Sequence, residues 1–127
     1  MNLMCKTFMG KNKWIIPDCE LPRPGEGVAK GHESVIIVND SDNVAQIDVT
    51  LYFVDKEPFE NIKWTVGAKR VRCFRMNNIE DMCGFEVPFE TQYAMKISSN
   101  TPIVVQYGRL DNTQSNLAFY TTLGYTE

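Results

Sequence analysis

Apolar and polar residues alternate along the segment Val44 to Asp55, and this period of two constrains the fold more than any other feature of the chain. Successive side chains of a β-strand point to opposite faces, whereas those of a helix repeat every 3.6 residues. The pattern is therefore typical of a long, half-buried strand. Its apolar positions are Ile47, Val49, Leu51 and Phe53, and the polar positions between them are Gln46, Asp48, Thr50 and Tyr52.

A second apolar run, Val35–Val38, precedes this strand and is separated from it by Asn39-Asp40-Ser41-Asp42-Asn43. Asn, Asp and Ser favour turns because their side chains hydrogen-bond to nearby backbone groups and because Asn and Asp tolerate left-handed geometry. We expect the two runs to pair as a hairpin across this turn.

No segment carries a convincing helical stripe over three turns, and short strands separated by polar or Gly/Pro breaks are indicated instead. Such spacing is typical of an antiparallel sandwich or barrel. We predict an all-β fold, a single-domain antiparallel β-sandwich of jelly-roll-like form spanning residues 1–127, a length that allows one domain to bury a core. Further strands are expected at Lys13–Ile16, Ile62–Val66, Lys69–Met76, Gln92–Ser98, Pro102–Leu110 and Leu117–Leu123.

The segment from Pro17 to Ser34 holds three of the six prolines and three of the eight glycines, which predicts a long irregular loop. Long structured loops often carry function. A loop that only covers an exposed sheet edge would have the same composition, so both interpretations stay open.

Composition excludes several classes of protein. A net charge of −3 with 43% apolar residues is typical of a soluble globular protein and does not favour nucleic-acid binding. Four cysteines without a C-x-x-C motif and a single histidine make a zinc site improbable, and no cofactor is expected. The chain shows no signal-peptide pattern and no membrane span, so we expect a cytoplasmic protein with reduced thiols and no membrane insertion.

Charged and amide residues follow directly after the apolar run Ile103–Tyr107, at Arg109-Leu-Asp111-Asn-Thr-Gln114. Charged side chains are rarely buried without partners. A strand that is apolar on both faces and then turns polar therefore indicates either a ligand site or an internal Arg109–Asp111 ion pair that pins a turn.

Four sequence blocks resemble the sensory rhodopsin transducer family of small bacterial β-sandwich proteins. They are Gly31–Asn39, Ile47–Pro58, Val66–Arg70 and Ser99–Asp111, within a similarity that spans most of residues 12 to 125. Two positions depart from the family pattern: Cys73 replaces a histidine, and Glu90 stands where a shorter Asp is common.

The resemblance implies a cytoplasmic homotetramer that binds sugars or related metabolites, or that relays a receptor signal. A sugar-like ligand needs donors and acceptors for its hydroxyls and an apolar platform for its ring. Arg109, Asp111 and Glu33 are the strongest candidates for the polar contacts, and Tyr107 or Trp64 for the platform. His32 either contacts the ligand or bonds a loop carbonyl.

The matched blocks contribute four further candidate ligand-binding residues: Gln106, Arg70, Asp55 and Glu57. The stretch Asp55–Pro58 also has the composition of a solvated turn, and that interpretation is favoured. Arg70 belongs to the basic cluster Lys69, Arg70, Arg72 and Arg75, which is either a solvated sheet face, an anion site, a subunit-interface ion pair or a phosphate-contacting patch.

Catalysis is not expected, because the chain has one histidine and no nucleophile or phosphate-loop motif. Two functions from different classes remain. The first is a small-molecule sensor that uses Arg109, Asp111, Glu33 and His32. The second is a tetrameric adaptor that docks a membrane receptor or a transcriptional regulator, to which the aromatic residues Tyr120 and Tyr125 would contribute.

Overall fold

The computed structural model describes residues 7–25, 27–113 and 117–127, and within these ranges the regular elements are all strands. Gln114, one of the polar residues singled out above, and Cys5 lie outside the described residues. The strands are β1 (Lys11–Glu20), β2 (His32–Asn39), β3 (Ala45–Phe53), β4 (Phe59–Val66), β5 (Arg70–Arg75), β6 (Gln92–Asp111), β7 (Ala118–Leu123) and β8 (Tyr125–Thr126).

The strands form two antiparallel sheets that share β6. The first sheet has the order β4-β3-β6-β1-β8 and uses the first half of β6. The second sheet has the order β5-β2-β6-β7 and uses the second half. The predicted all-β antiparallel sandwich is confirmed. The 20-residue strand β6 thus belongs to both sheets, and each of its halves contributes buried residues to the core.

The core lies between the two sheets and follows the period of two. In β3, Ile47, Val49 and Leu51 are buried while Gln46 and Asp48 are exposed, which confirms the predicted alternation. The facing sheet contributes the equivalent positions of β2 and of the second half of β6. These are Val35, Ile37, Ile103, Val105 and Tyr107.

The expected hairpin between β2 and β3 is wrong. β2 pairs with β5 and β6, whereas β3 pairs with β4 and β6, so the two strands lie in different sheets. The Asn39–Asn43 segment instead crosses from one sheet to the other. The buried Asn39 amide donates to the carbonyl oxygens of Val66 and Gly67, each at 3.1 Å, and so bonds the crossing to the end of β4.

Two strand limits also differ from the sequence prediction. The stretches Gln92–Ser98 and Pro102–Leu110 belong to one strand, because Thr101 and Pro102 continue in extended conformation between the sheets. The loop predicted for residues 17–34 is shorter, since β1 continues to Glu20 and β2 begins at His32. Pro17 is tolerated in β1 because it falls at a register shift, where a missing N–H breaks no ladder bond.

Candidate functional site

A buried carboxylate, two tyrosines and an arginine meet at the inner face of the second sheet. Glu33 in β2 is paired with Arg109 in β6, and cross-strand partners share a face. Tyr107 lies two residues before Arg109 on that same face. Tyr93 arrives from the first half of β6, because the strand passes from one sheet to the other.

Glu33 is 0% exposed and accepts three hydrogen bonds. The Tyr93 hydroxyl donates to Oε1 at 2.7 Å, and the backbone N–H of Glu20 donates to Oε2 at 2.8 Å. The Tyr107 hydroxyl also donates to Oε2. These donors compensate the carboxyl group for the water that it loses in the core.

Burial sets the protonation states of this group. Loss of water raises the pKa of Glu33, although the hydrogen bonds from the two tyrosines and from Glu20 and the charge of Arg109 oppose that change. Burial, and then the nearby Glu33 charge, raise the pKa of Tyr93 and of Tyr107. Both phenols therefore stay protonated and act as donors.

Arg109 extends the network toward the edge of the sheet. Its Nε donates to the Tyr107 hydroxyl at 3.2 Å, and its guanidinium carbon lies 5.9 Å from the Tyr107 ring centroid and 5.3 Å from that of Tyr120. Its Nη2 is shielded from solvent and has no hydrogen-bond partner among the described residues. Buried donors are almost always paired. An unpaired donor beside two aromatic rings is therefore a feature that needs an explanation.

A cleft of about 440 Å³ lies against this network, between β1 and β7. Tyr107 and Tyr120 belong both to the network and to the wall of the cleft, which links the buried carboxylate to the surface. Asp18 and Thr122 supply polar groups to the lining. The cleft opens here because β8 covers β1 only at Trp14 and Ile15, which leaves the following part of that edge uncovered.

Asp111 and His32 lie near the network but bond locally. The Asp111 carboxylate accepts from the Thr113 backbone N–H at 2.9 Å and from the Thr113 hydroxyl at 2.7 Å, and these bonds lower its pKa. It therefore pins its turn through Thr113, and not through Arg109. The His32 Nδ1 lies 2.8 Å from the Lys30 carbonyl oxygen, in agreement with the loop-bonding interpretation.

The other predicted site residues lie apart from the network. Gln106 is paired with Ile36 and Leu123 on the outer face of the second sheet. Arg70 bonds the Lys69 carbonyl oxygen at 3.1 Å, at the other end of β2 from Glu33. Asp55 and Glu57 are exposed in the turn between β3 and β4, in agreement with a solvated turn.

Trp64 does not provide a ligand platform, because it is buried and stacks on Phe74 with ring centroids 4.1 Å apart. Two members of the network, Tyr93 and Tyr120, were not predicted from the sequence. The alternation of its strand predicts that Tyr93 is buried. The neighbouring sequence does not show that it contacts Glu33, which lies 60 residues earlier. Tyr120 was noted as an exposed aromatic, and it is 44% exposed beside Arg109.

One family model matches nearly the whole chain. The family model described as Anabaena sensory rhodopsin transducer matches residues 9–126. The chain therefore belongs to the Anabaena sensory rhodopsin transducer family. Among curated proteins, none matches this chain.

Two solved structures are similar over most of their length. The crystal structure of Thermotoga maritima 1070 is 30% identical, has a TM-score of 0.83 and covers 93% of this chain and 96% of its own. The Anabaena sensory rhodopsin transducer is 36% identical, has a TM-score of 0.70 and covers 80% of this chain and 97% of its own. Within the described ranges, no helix has the length and apolar character needed for a membrane crossing.

Proposed function

We propose that this protein is a non-enzymatic sensor that binds a small, sugar-like metabolite in the cleft between β1 and β7. The observation that carries the proposal is the shielded Arg109 Nη2, a cationic donor without an acceptor among the described residues, next to a cleft with aromatic walls. A hydroxyl or carboxylate oxygen of a ligand would complete its hydrogen bonding.

The surroundings of Arg109 explain why a sugar-like compound fits. Tyr120 presents a ring surface that packs against the apolar face of a pyranose, while Asp18 and Thr122 supply an acceptor and a hydroxyl. Since Nη2 is shielded, a ligand reaches it after the Tyr120 side chain rotates on its edge strand. Glu33 has its bonds filled by protein donors, so it holds Tyr107 in place and does not contact the ligand.

A thermal-shift screen of purified protein against sugars, sugar acids, polyols and small anions tests this site. A ligand at a hundredfold excess over Kd stabilises the native state by about 2.7 kcal/mol, which corresponds to several degrees in Tm. Arg109→Met should abolish the shift while keeping the aliphatic length of the side chain. Arg72→Met is the matched control, because Arg72 is exposed and bonds the Thr65 carbonyl oxygen, away from the cleft.

Two results would overturn the assignment. A ligand that shifts wild type and Arg109→Met equally would bind elsewhere. An absence of any shift across the library would remove support for a metabolite sensor. Because the Arg109 substitution also removes the bond to Tyr107, Tyr120→Ala serves as a second variant that changes the cleft wall at a partly exposed position.

We also propose that the protein is cytoplasmic and assembles as a homotetramer. The described cysteines, Cys19, Cys73 and Cys83, are free thiols, which supports a reducing compartment. The outer face of the second sheet exposes apolar side chains, among them Val38, Val71 and Leu123, and contiguous apolar patches mark interaction surfaces. Light scattering coupled to size exclusion would test the assembly, and a monomer mass would refute it.

The alternative function is a tetrameric adaptor that docks a membrane receptor or a transcriptional regulator. The name of one similar structure, a sensory rhodopsin transducer, and the exposed ring of Tyr125 favour it. Tyr125→Ala should then weaken capture of a purified membrane receptor. Equal capture by wild type and Tyr125→Ala would show that the surface around Tyr125 does not bind the receptor.

A further inference from the structure

A second cavity, of about 330 Å³, lies where the connection between β5 and β6 meets the end of β1. At this point Leu21 forms an isolated bridge with Phe89, and the Glu90 N–H donates to the Leu21 carbonyl oxygen at 2.9 Å. The cavity is separate from the cleft between β1 and β7, because the two share no lining residue. Its volume is within the range of small-molecule sites.

The walls of this cavity are mostly apolar. Its inner wall is buried, since Leu21, Met76 and Val87 are 2%, 1% and 4% exposed. At its outer wall two large apolar side chains reach solvent, Ile79 at 52% and Phe89 at 38% exposed. A buried apolar wall next to exposed apolar side chains is typical of a site for the apolar body of a ligand.

The connection that builds the cavity is acidic. Although the chain has 13 basic and 16 acidic residues, residues 77–91 contain no lysine or arginine and four acidic residues: Glu80, Asp81, Glu86 and Glu90. Glu90 pairs with Arg23 at 3.1 Å. Glu86 lines the cavity, and none of the ion pairs or side-chain hydrogen bonds among the described residues involves it. Charge complementarity therefore favours a cationic ligand.

The aromatic side chains of the cavity favour the same charge. The guanidinium carbon of Arg23 lies 5.4 Å from the Phe89 ring centroid, so this ring already takes part in a cation–π contact. Phe85 also lines the cavity, and it stacks on Phe59 with ring centroids 4.3 Å apart. The faces of such rings carry partial negative charge and attract cations. An anion in this cavity would be repelled by Glu86 and by the ring faces.

We propose that this cavity binds a small organic cation, an amine with an apolar body. The apolar body would contact Leu21, Met76 and Val87, and the ammonium group would pair with Glu86 at the rim. Asn77, in the same wall, would supply its amide oxygen as a second acceptor. This inference does not rest on the sugar-like ligand of the proposed function, because it concerns other residues and a different ligand chemistry.

Three probes with the same phenylethyl body but different charge test the proposal. They are 2-phenylethylamine, 2-phenylethanol and 3-phenylpropanoate, each titrated at neutral pH into isotope-labelled protein while the backbone amide resonances are followed by NMR. The amine should bind about tenfold more tightly than the alcohol, and the carboxylate should not bind. Saturable changes are expected at residues 77, 79, 86 and 89.

Three substitutions separate charge from location. Glu86→Gln removes the charge and keeps the shape, so it should weaken amine binding by about threefold to tenfold and leave alcohol binding unchanged. Glu80→Gln is the matched control, because Glu80 is an exposed residue of the same connection that does not line the cavity. Ile79→Trp enlarges the outer wall and should weaken both probes. Thermal denaturation checks that these variants stay folded, as expected for exposed positions.

Three outcomes would overturn the proposal. Equal Kd values of the amine and the alcohol for wild type would show that the site does not select a cation. Equal loss of amine binding in Glu86→Gln and Glu80→Gln would show only general attraction to an acidic segment. Changes confined to residues 120 to 122 would place the amine in the cleft between β1 and β7. The screen of sugar-like compounds can fail without affecting any of these results.

Discussion

Tyr93 and Tyr107 bring hydroxyl donors to a carboxylate that has no contact with water. Removing the Tyr93 hydroxyl leaves Glu33 Oε1 without its 2.7 Å donor. An unsatisfied buried polar group costs about 1–3 kcal/mol. We predict that Tyr93→Phe lowers the free energy of unfolding by about that amount in urea denaturation. The control Tyr52→Phe, on the outer face of β3, should change it by less than about 0.5 kcal/mol. Equal effects would show that the hydroxyl bond is unimportant.

The raised pKa of Glu33 predicts a pH dependence of stability. Between the pKa of an unfolded glutamate, 4.5, and its higher folded value, the native state holds more protons than the unfolded state. Stability from this group is therefore present below the unfolded pKa and is lost as pH rises through the folded pKa. Glu33→Gln should remove this contribution to the decrease of the free energy of unfolding with rising pH. Urea denaturation at a series of pH values checks it, and parallel profiles for the two proteins would contradict the prediction.

At the residue scale, the sequence identified the charged members of the network but not their partners. Arg109 and Glu33 stand out because each is a charged residue close to the end of an apolar run, Arg109 after Ile103–Tyr107 and Glu33 before Val35–Val38. Tyr93 does not stand out, since a tyrosine on a buried strand position is ordinary. Only the passage of β6 between the sheets brings its hydroxyl to Glu33, and no local pattern encodes that passage.

At the scale of elements, the crossing between β2 and β3 depends on one amide. The buried Asn39 Nδ2 donates to the carbonyl oxygens of Asn43, Val66 and Gly67 and so fastens two sheets together. We predict that Asn39→Ala destabilises the protein by about 1–3 kcal/mol, measured by urea denaturation, because these carbonyls lose their donor. Asn61→Ala, at an exposed position of β4, should have little effect. A loss below about 0.5 kcal/mol for Asn39→Ala would refute this role.

The positions of most strands were predictable from the sequence, but their pairing partners were not. Period-two alternation shows which residues of β3 face the core, but it is the same whether β3 pairs with β2 or with β6. The Asn39–Asn43 turn has the composition of a hairpin loop and nevertheless crosses between the sheets. The choice depends on long-range packing and on the contacts of Asn39 with the end of β4, 27 and 28 residues away.

At the scale of the whole molecule, the sandwich places its polar network where β1 is uncovered and β7 forms an edge. The proposed ligand cleft lies in that region, and Tyr120 of β7 belongs to its wall. A ligand that binds there stabilises the native state as a whole, so Tm should rise with ligand concentration in wild type and stay constant in Arg109→Met.

The most direct test of the central claim locates a ligand on the molecule. We would titrate isotope-labelled protein with the compound that gives the largest thermal shift and follow the backbone amide resonances by NMR. We predict changes at residues 16 and 18 in β1 and 120 to 122 in β7, and their loss in Arg109→Met. Changes confined to the separate cavity of about 330 Å³ lined by Leu21, Met76, Phe85 and Phe89 would contradict it.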